Sequence, residues 1–454
     1  MFGLIGSRLA RQSVRVARTS LVAALVAMSV LCGSALPARA AELGWVQGFK
    51  ESEPLLEARA GAAGVAVGEF LYIIGGVDGH QFLTTVESAR IKPGGALEPW
   101  KAARPLPAPR GFMAAVAHNG IIYVAGGGAG LHGETLYRSV LRAHVNADGS
   151  LGPWETEAEM RLPRRCVKLF VQDSALYAVG GFGGALLDSV ERAEIQPDGR
   201  LGEWILEPAP LTRARYVSET RVVGDFAVTL GGHESSGGRG LASTEMASLG
   251  GSALAWKAAE PMMLGRYAFG SFARGADLYV LGGISGTDYL ASIEHSRVNG
   301  HGELAKWNNL DTILPESVAE FVTLIKDKTI FVLGGTTGSA YRRGVWTAEL
   351  DGVGGIGFRG RAAEQAKKSV SSADSVAPLA NEGVVRQTMD ASGYTYILVG
   401  SGGGESWLAV PVTHVAVNDR IRYGQGVFMS GFYSKTLRRT FPAITFVGRV
   451  EIVQ

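Results

Sequence analysis

Cysteine is almost absent: the 454-residue chain carries two, Cys32 and Cys166. A disulfide framework is therefore excluded as the basis of the fold, and stability has to come from burial, which a chain of this length can supply. Charge is sparse at 19% of residues, yet nothing in the bulk composition marks disorder or a membrane protein. No Walker loop, His-Glu-x-x-His or nucleophile elbow occurs, and no histidine pair has metal-ligand spacing. The sequence accordingly assigns no cofactor, no metal ligand and no catalytic residue.

The first forty residues lack acid altogether and hold Arg8, Arg11, Arg15, Arg18 and Arg39. The basic segment precedes the apolar run SLVAALVAMSVLCGSAL, which ends in Ala38-Arg39-Ala40. That order is a secretory signal peptide over 1–40, cut after Ala40, and it predicts a periplasmic or secreted protein with no transmembrane segment after cleavage. The run is short for a spanning helix, and Leu31 before Cys32 is too bulky for a lipoprotein site. Removal of five arginines turns the net charge from +2 to −3 and leaves Cys166 as a buried structural thiol.

What the chain has in abundance is glycine, 63 residues, and much of it is placed periodically. LYIIGG, IYVAGG, LYAVGG, VTLGG, LYVLGG and FVLGG end in Gly75-Gly76, Gly126-Gly127, Gly180-Gly181, Gly231-Gly232, Gly282-Gly283 and Gly334-Gly335. The second glycines are spaced by 51, 54, 51, 51 and 52 residues. Trp45, Trp100, Trp154, Trp204, Trp256 and Trp307 form a second marker out of phase with the first. A period near fifty in a strand-rich pattern predicts four-stranded propeller blades. Each repeat reads as a turn, an apolar strand, the strand ending in Gly-Gly, a loop, an alternating strand such as DSVERAEI, and a strand near tryptophan. The paired glycines would permit a tight exit beside the central axis, and the tryptophans would fill the gaps between blades.

Gly-Gly after an aromatic-aliphatic strand, a later tryptophan and an L-P-x-x-R turn resemble the kelch repeat. The resemblance covers 41–358 and implies an all-β, six-bladed kelch β-propeller. The fourth repeat departs from it, with Val228 where the others carry Tyr or Phe. Two segments compete to complete the sixth blade, the Trp45 strand and the segment around Phe358.

Residues 359–383 read as a linker, and 384–454 as a second domain of short strands forming a small OB-like barrel. GYTYILV, WLAVP and FYSKTLRRTF resemble a small exported bacterial domain associated with nitrite-reductase accessory proteins, which implies an OB-like fold. This domain is net +3 and the 41–358 segment −7. Lys435, Arg438 and Arg439 beside Tyr433 and Phe441 could grip nucleic acid, but export argues against it. An acidic partner fits the basic domain better.

Arg59, Arg110, Arg164, Arg215 and Arg266 each lie sixteen residues before the first glycine of their pair, with Val318 in the sixth repeat. The kelch resemblance places this turn and the loop after Gly-Gly on one face. The loops add His80, His132, Glu134, His233, Glu234 and Tyr289 to a candidate axial mouth. Guanidinium forks suit carboxylates and aromatic faces suit peptides or sugar rings; equally, each arginine could pair locally with an acid or a strand-end carbonyl. A copper-radical oxidase on this fold lacks its histidine ligands here. The exported kelch mutarotases of sialic acid would need a carboxylate base and an arginine, roles open to Glu134 or Glu234 with Arg215. The reading that follows is an exported binding or scaffold protein presenting loops to a protein or glycan partner, with a mutarotase-like enzyme as the alternative.

Overall fold

A computed structural model describes residues 44–130, 133–234, 240–251, 253–360 and most of 379–453. The signal-peptide expectation, the bulk of the linker, His132 and Lys435 lie outside the described residues. Every regular element described is a strand, and no described helix is long and apolar enough to cross a membrane.

Six antiparallel sheets follow one another. The first has strands Ala63–Val67, Phe70–Ile74, Val86–Arg90 and Lys101–Ala103, in that order. The next four repeat this order, with first strands at Ala114–His118, Lys168–Gln172, Glu219–Val223 and Gly270–Arg274. The sixth begins at Val322–Lys326, and its first strand flanks Ala63–Val67, so the ring closes. One hydrophobic cluster sits between each pair of successive blades: Tyr72, Ile74 and Ile122 between the first two, for example, and Leu71, Trp100 and Phe331 between the sixth and first. The core is thus six interfaces around an axis.

The repeated phrase has a physical reading at each position. Gly75 lies at φ 54°, and a Cβ on it would fall 2.3 Å from the Arg110 carbonyl oxygen. That carbonyl accepts from the Gly76 amide at 2.9 Å, and the same bond recurs from every second glycine to the next blade. The tyrosine of the phrase ties blades together farther out. Tyr72 donates to the Gly149 carbonyl at 2.7 Å and Tyr123 to that of Gly199 at 2.6 Å. Val228 and Phe331 have no hydroxyl to offer, so this tie is missing from the fourth and sixth blades. Trp100, Trp204 and Trp307 are buried, their indoles donating to Glu53, Ala158 and Glu260 carbonyls at 2.9, 2.9 and 3.0 Å. Trp256 is also buried, while Trp154 is only partly so and donates to the Arg104 carbonyl at 3.1 Å.

Trp45 departs from the expectation. It is 43% exposed, on the outermost strand Gly44–Gln47, paired to Ile356–Gly360. The structural position belongs to Phe49, which is buried among Leu350, Ile356 and Trp346. Lys50–Glu51 pairs with Thr347 and Trp346 as Lys101–Ala103 pairs with Val86–Arg90. Of the two candidates, the Phe358 segment Ile356–Gly360 holds one half of the edge of Val345–Leu350, while the other half is held by Lys50–Glu51 and not by the Trp45 strand, which pairs outside Ile356–Gly360.

The C-terminal residues form one seven-stranded sheet. Its order is Val427–Ser434, Arg439–Phe446, Gly404–Pro411, Tyr394–Ser401, Asn381–Ala391, Arg420–Tyr423, Val450–Ile452. The single parallel pair joins Gly404–Pro411 to Arg439–Phe446. Alternation buries both faces, Tyr396, Trp407 and Phe441 on one and Ile397, Val399 and Leu408 on the other. Ile313 of the propeller packs against the first of these clusters.

Candidate binding mouth

The five arginines are at most 3% exposed. Each donates Nη1 to the first glycine carbonyl of its own repeat: Arg59 to Gly75 at 2.9 Å, Arg110 to Gly126 at 3.1 Å, Arg164 to Gly180 at 2.7 Å, Arg215 to Gly231 and Arg266 to Gly282 at 2.9 Å. Nη2 reaches a Ser or Thr hydroxyl on the residue just before the third strand, such as Ser189 at 2.8 Å from Arg164. In four repeats a buried glutamate completes the set: Glu87, Glu191, Glu245 and Glu294 pair with Arg59, Arg164, Arg215 and Arg266. The same carboxylates accept turn amides, as Glu191 does from Arg161 at 2.6 Å and Leu162 at 3.1 Å. These guanidinium groups are occupied inside the blades and do not line a ligand surface. Their charge is compensated one by one, so no ring of free positive charge forms.

Arg110 is the exception. Its repeat has Leu141 at the glutamate position, and its guanidinium lies 4.2 Å from the Tyr137 ring centroid instead. Burial pulls its pKa down to about 10.

What faces the axis lies one and two residues after each arginine. Gly61, Phe112, Cys166, Val217, Ala268 and Glu320 are equivalent, and all six have φ between 52° and 58°. A non-glycine residue there costs roughly 1–3 kcal/mol, and a β-branched one such as Val217 is a clear outlier. Hydrogen bonds from blade to blade hold them: Phe112 N to Gly61 O at 2.7 Å, Cys166 N to Phe112 O at 2.7 Å, Ala268 N to Val217 O at 3.0 Å, Glu320 N to Ala268 O at 2.8 Å and Gly61 N to Glu320 O at 2.9 Å. This backbone circle surrounds a throat of about 60 Å³.

Glu320 is the single acid among the six circle positions. Among the described residues its carboxyl makes no ion pair and no side-chain hydrogen bond. Burial pushes it up to about 7, against a smaller opposing pull from Arg165. The Cys166 thiol is pushed by burial to about 11 and stays protonated. Glu219, deeper in the throat, differs: burial alone would raise it, but Lys168 at 2.6 Å and Arg221 at 2.8 Å hold it below its usual range.

Above the circle stands an aromatic rim. Arg165 lies 5.5 Å from the Phe112 ring centroid, and Phe82 meets Phe112 edge-on at 6.3 Å. His233 sits between Tyr216 at 5.8 Å and Tyr267 at 4.6 Å, and Phe182 touches Tyr216 at 6.2 Å. Tyr289 lies over Gly338 and Tyr341 over Gly79, where a Cβ would come within 2.8 Å of either ring. Paired bridges such as Arg165 with Phe182 and Tyr216 with His233 fix this layer, which joins the pre-strand turn to the loop after Gly-Gly as expected. The layer is not six-fold: Arg165, Tyr216 and Tyr267 in the third to fifth blades face Ala319, Ala60 and Gly111 in the others.

Of the residues expected in the mouth, His233 and Tyr289 are in it. His80 is exposed at a loop tip, its amide donating to Asp78 at 2.8 Å, and Glu234 is exposed and paired with Arg213 at 3.4 Å. Glu134 is exposed and folds against Gly130. Glu134 or Glu234 with Arg215 does not form the pair that mutarotase-like chemistry needs, because Arg215 is buried on Glu245. Sequence reasoning missed Glu320, Arg165, Tyr216, Tyr267 and Tyr341. The readable signal was the column two residues after the arginine, apolar or Gly except for Glu320.

A Kelch motif matches residues 58–88. Beta-scruin of Limulus polyphemus is 28% identical over 124 residues, 27% of this chain. The aligned part spans 13% of that relative's length. The solved structure of YjhT superposes with a TM-score of 0.54 at 15% identity, covering 67% of this chain and 98% of its own. The fold is a kelch propeller. At that identity the likeness speaks for the fold alone.

Proposed function

We propose that the chain is an exported binding protein whose ligand enters the axial mouth, and that the propeller is its recognition module. The observation carrying this reading is the asymmetric aromatic rim set over six equivalent backbone positions, five of their six junctions hydrogen-bonded, with one carboxyl that makes no ion pair among the described residues. Architecture alone needs repetition, which the glycine pairs and the buried arginines supply; the rim breaks it, because Arg165, Tyr216 and Tyr267 stand at the position that is Ala60, Gly111 and Ala319 in the other blades. Concave, mostly apolar openings with few convergent polar groups are the usual form of ligand sites. Aromatic faces with a carboxyl and a guanidinium near them suit a peptide or glycan group.

The N-terminal sequence supports export. The C-terminal strand order, with its one parallel pair, supports an OB-like domain, and its net positive charge suits an acidic partner. Arg438 and Arg439 are exposed, and Arg439 stacks 4.5 Å from the Trp407 ring.

A carboxyl poised near neutrality beside a guanidinium also suits proton transfer. Glu320 with Arg165 is the observation that keeps a carbohydrate-processing enzyme as the second reading.

Capture from periplasmic and culture fractions, beside a glycan array, tests the binding reading with wild type and a Tyr289→Ala/Tyr341→Ala variant. Loss of captured ligands by the variant is expected. Full retention by a folded variant would overturn the mouth as the site.

A further inference from the structure

Resting on that reading of the mouth, we propose that its throat selects an ammonium group, protonated or methylated, which seats against the Glu320 carboxylate under the tyrosines of the rim.

The argument is one of charge and shape. Glu320 is the throat carboxyl without an ion pair among the described residues, whereas Glu219 takes both Lys168, which lines the same throat, and Arg221. The other titratable groups facing it cannot serve as its counter-ion at close range. Cys166 is a neutral thiol, and burial holds the hydroxyls of Tyr216, Tyr267, Tyr289 and Tyr341 above their ordinary range, hence uncharged. Arg165 is turned onto the Phe112 face with Nη1 towards the Gly133 carbonyl, 3.4 Å away. His233 is held between two tyrosine rings. A half-buried carboxylate without an ion pair is incompletely solvated, and a ligand cation offsets that cost. Aromatic faces attract the same cation through their quadrupoles, the arrangement by which quaternary ammonium groups are recognised. A throat of about 60 Å³ takes a small headgroup and leaves the remainder of the ligand at the rim.

Two consequences are measurable. Burial raises the Glu320 carboxyl to about 7, so near neutral pH part of the population carries a proton that cation binding displaces, and affinity rises with pH as the carboxyl ionises. A neutral isostere loses the attraction and gains none of this pH dependence.

The test is calorimetry on the mature chain with choline and its uncharged isostere 3,3-dimethylbutanol, between pH 5.5 and 8.5. A trimethyllysine-containing tripeptide serves as a second arm, to tell a free amine from a side chain on a peptide. The expectation is that choline or the tripeptide binds at least tenfold more tightly than the alcohol, with affinity rising about thirtyfold over the pH range as the carboxyl ionises and proton release near pH 7. In Glu320→Gln, an isosteric change, preference and pH dependence should both disappear. Equal binding of the alcohol, no binding of either cation, or an unaltered preference in Glu320→Gln would overturn the proposal. The latter results leave the mouth itself standing if the Tyr289→Ala/Tyr341→Ala variant still loses captured ligands, so the two claims fail separately.

Discussion

The amide of Gly335 donates to the carbonyl of Arg59 at 2.8 Å, as that of Gly76 does to Arg110 in the next blade at 2.9 Å. The last repeat therefore grips the first by the same bond that joins its neighbours. Closure also depends on Phe49, Lys50 and Glu51 finishing the sixth blade.

Phe49→Ala should destabilise the propeller by about 3–5 kcal/mol, the usual cost of truncating a buried aromatic. Trp45→Ala, at an exposed position, should change stability by less than about 1 kcal/mol. Chemical denaturation of both variants measures this. Equal losses would mean that Trp45 carries the closure.

Arg164→Ala leaves Glu191, fully buried, without its cation, and should cost about 3–5 kcal/mol. Arg110→Ala leaves no carboxylate behind and should cost distinctly less. Denaturant midpoints of the two variants decide it, and a reversed order would contradict the pairwise compensation of the arginines.

How much of this was legible follows from which residues repeat. The blades, their number and the glycine exits were readable because each position recurs under the same backbone constraint. Phe49 was missed because Trp45 supplied the expected residue type four positions away, and strand pairing, not residue type, decides the position. The arginines recurred for the same architectural reason, so their regularity marked the scaffold. A binding site in a repeat protein lies where repetition breaks. Glu320 and Tyr341 break it, but only the three-dimensional closure of the ring brings Tyr341 over Gly79 and Glu320 into line with Gly61.

Glu320 links the mouth to pH. Its carboxyl binds a proton more tightly in the folded chain, at about 7, than the ordinary 4.5 of an unfolded one. The folded state therefore binds more protons between these values, and stability falls as pH rises from 4.5 towards 7, then levels off. The full change is of order 3 kcal/mol, reduced because the carboxyl is only half-buried. Glu320→Gln should flatten this part of the profile and be the more stable protein at pH 8. Parallel profiles for the two proteins would show that Glu320 titrates normally.

The most direct measurement compares two variants in one capture experiment with thermal melts alongside. Tyr289→Ala/Tyr341→Ala should keep the wild-type melting temperature and lose the bound ligand. Arg266→Ala should melt earlier, while its folded fraction binds as wild type does. The opposite pattern, ligand lost with Arg266 and kept without the two tyrosines, would contradict the assignment of the arginines to the scaffold and of the rim to recognition.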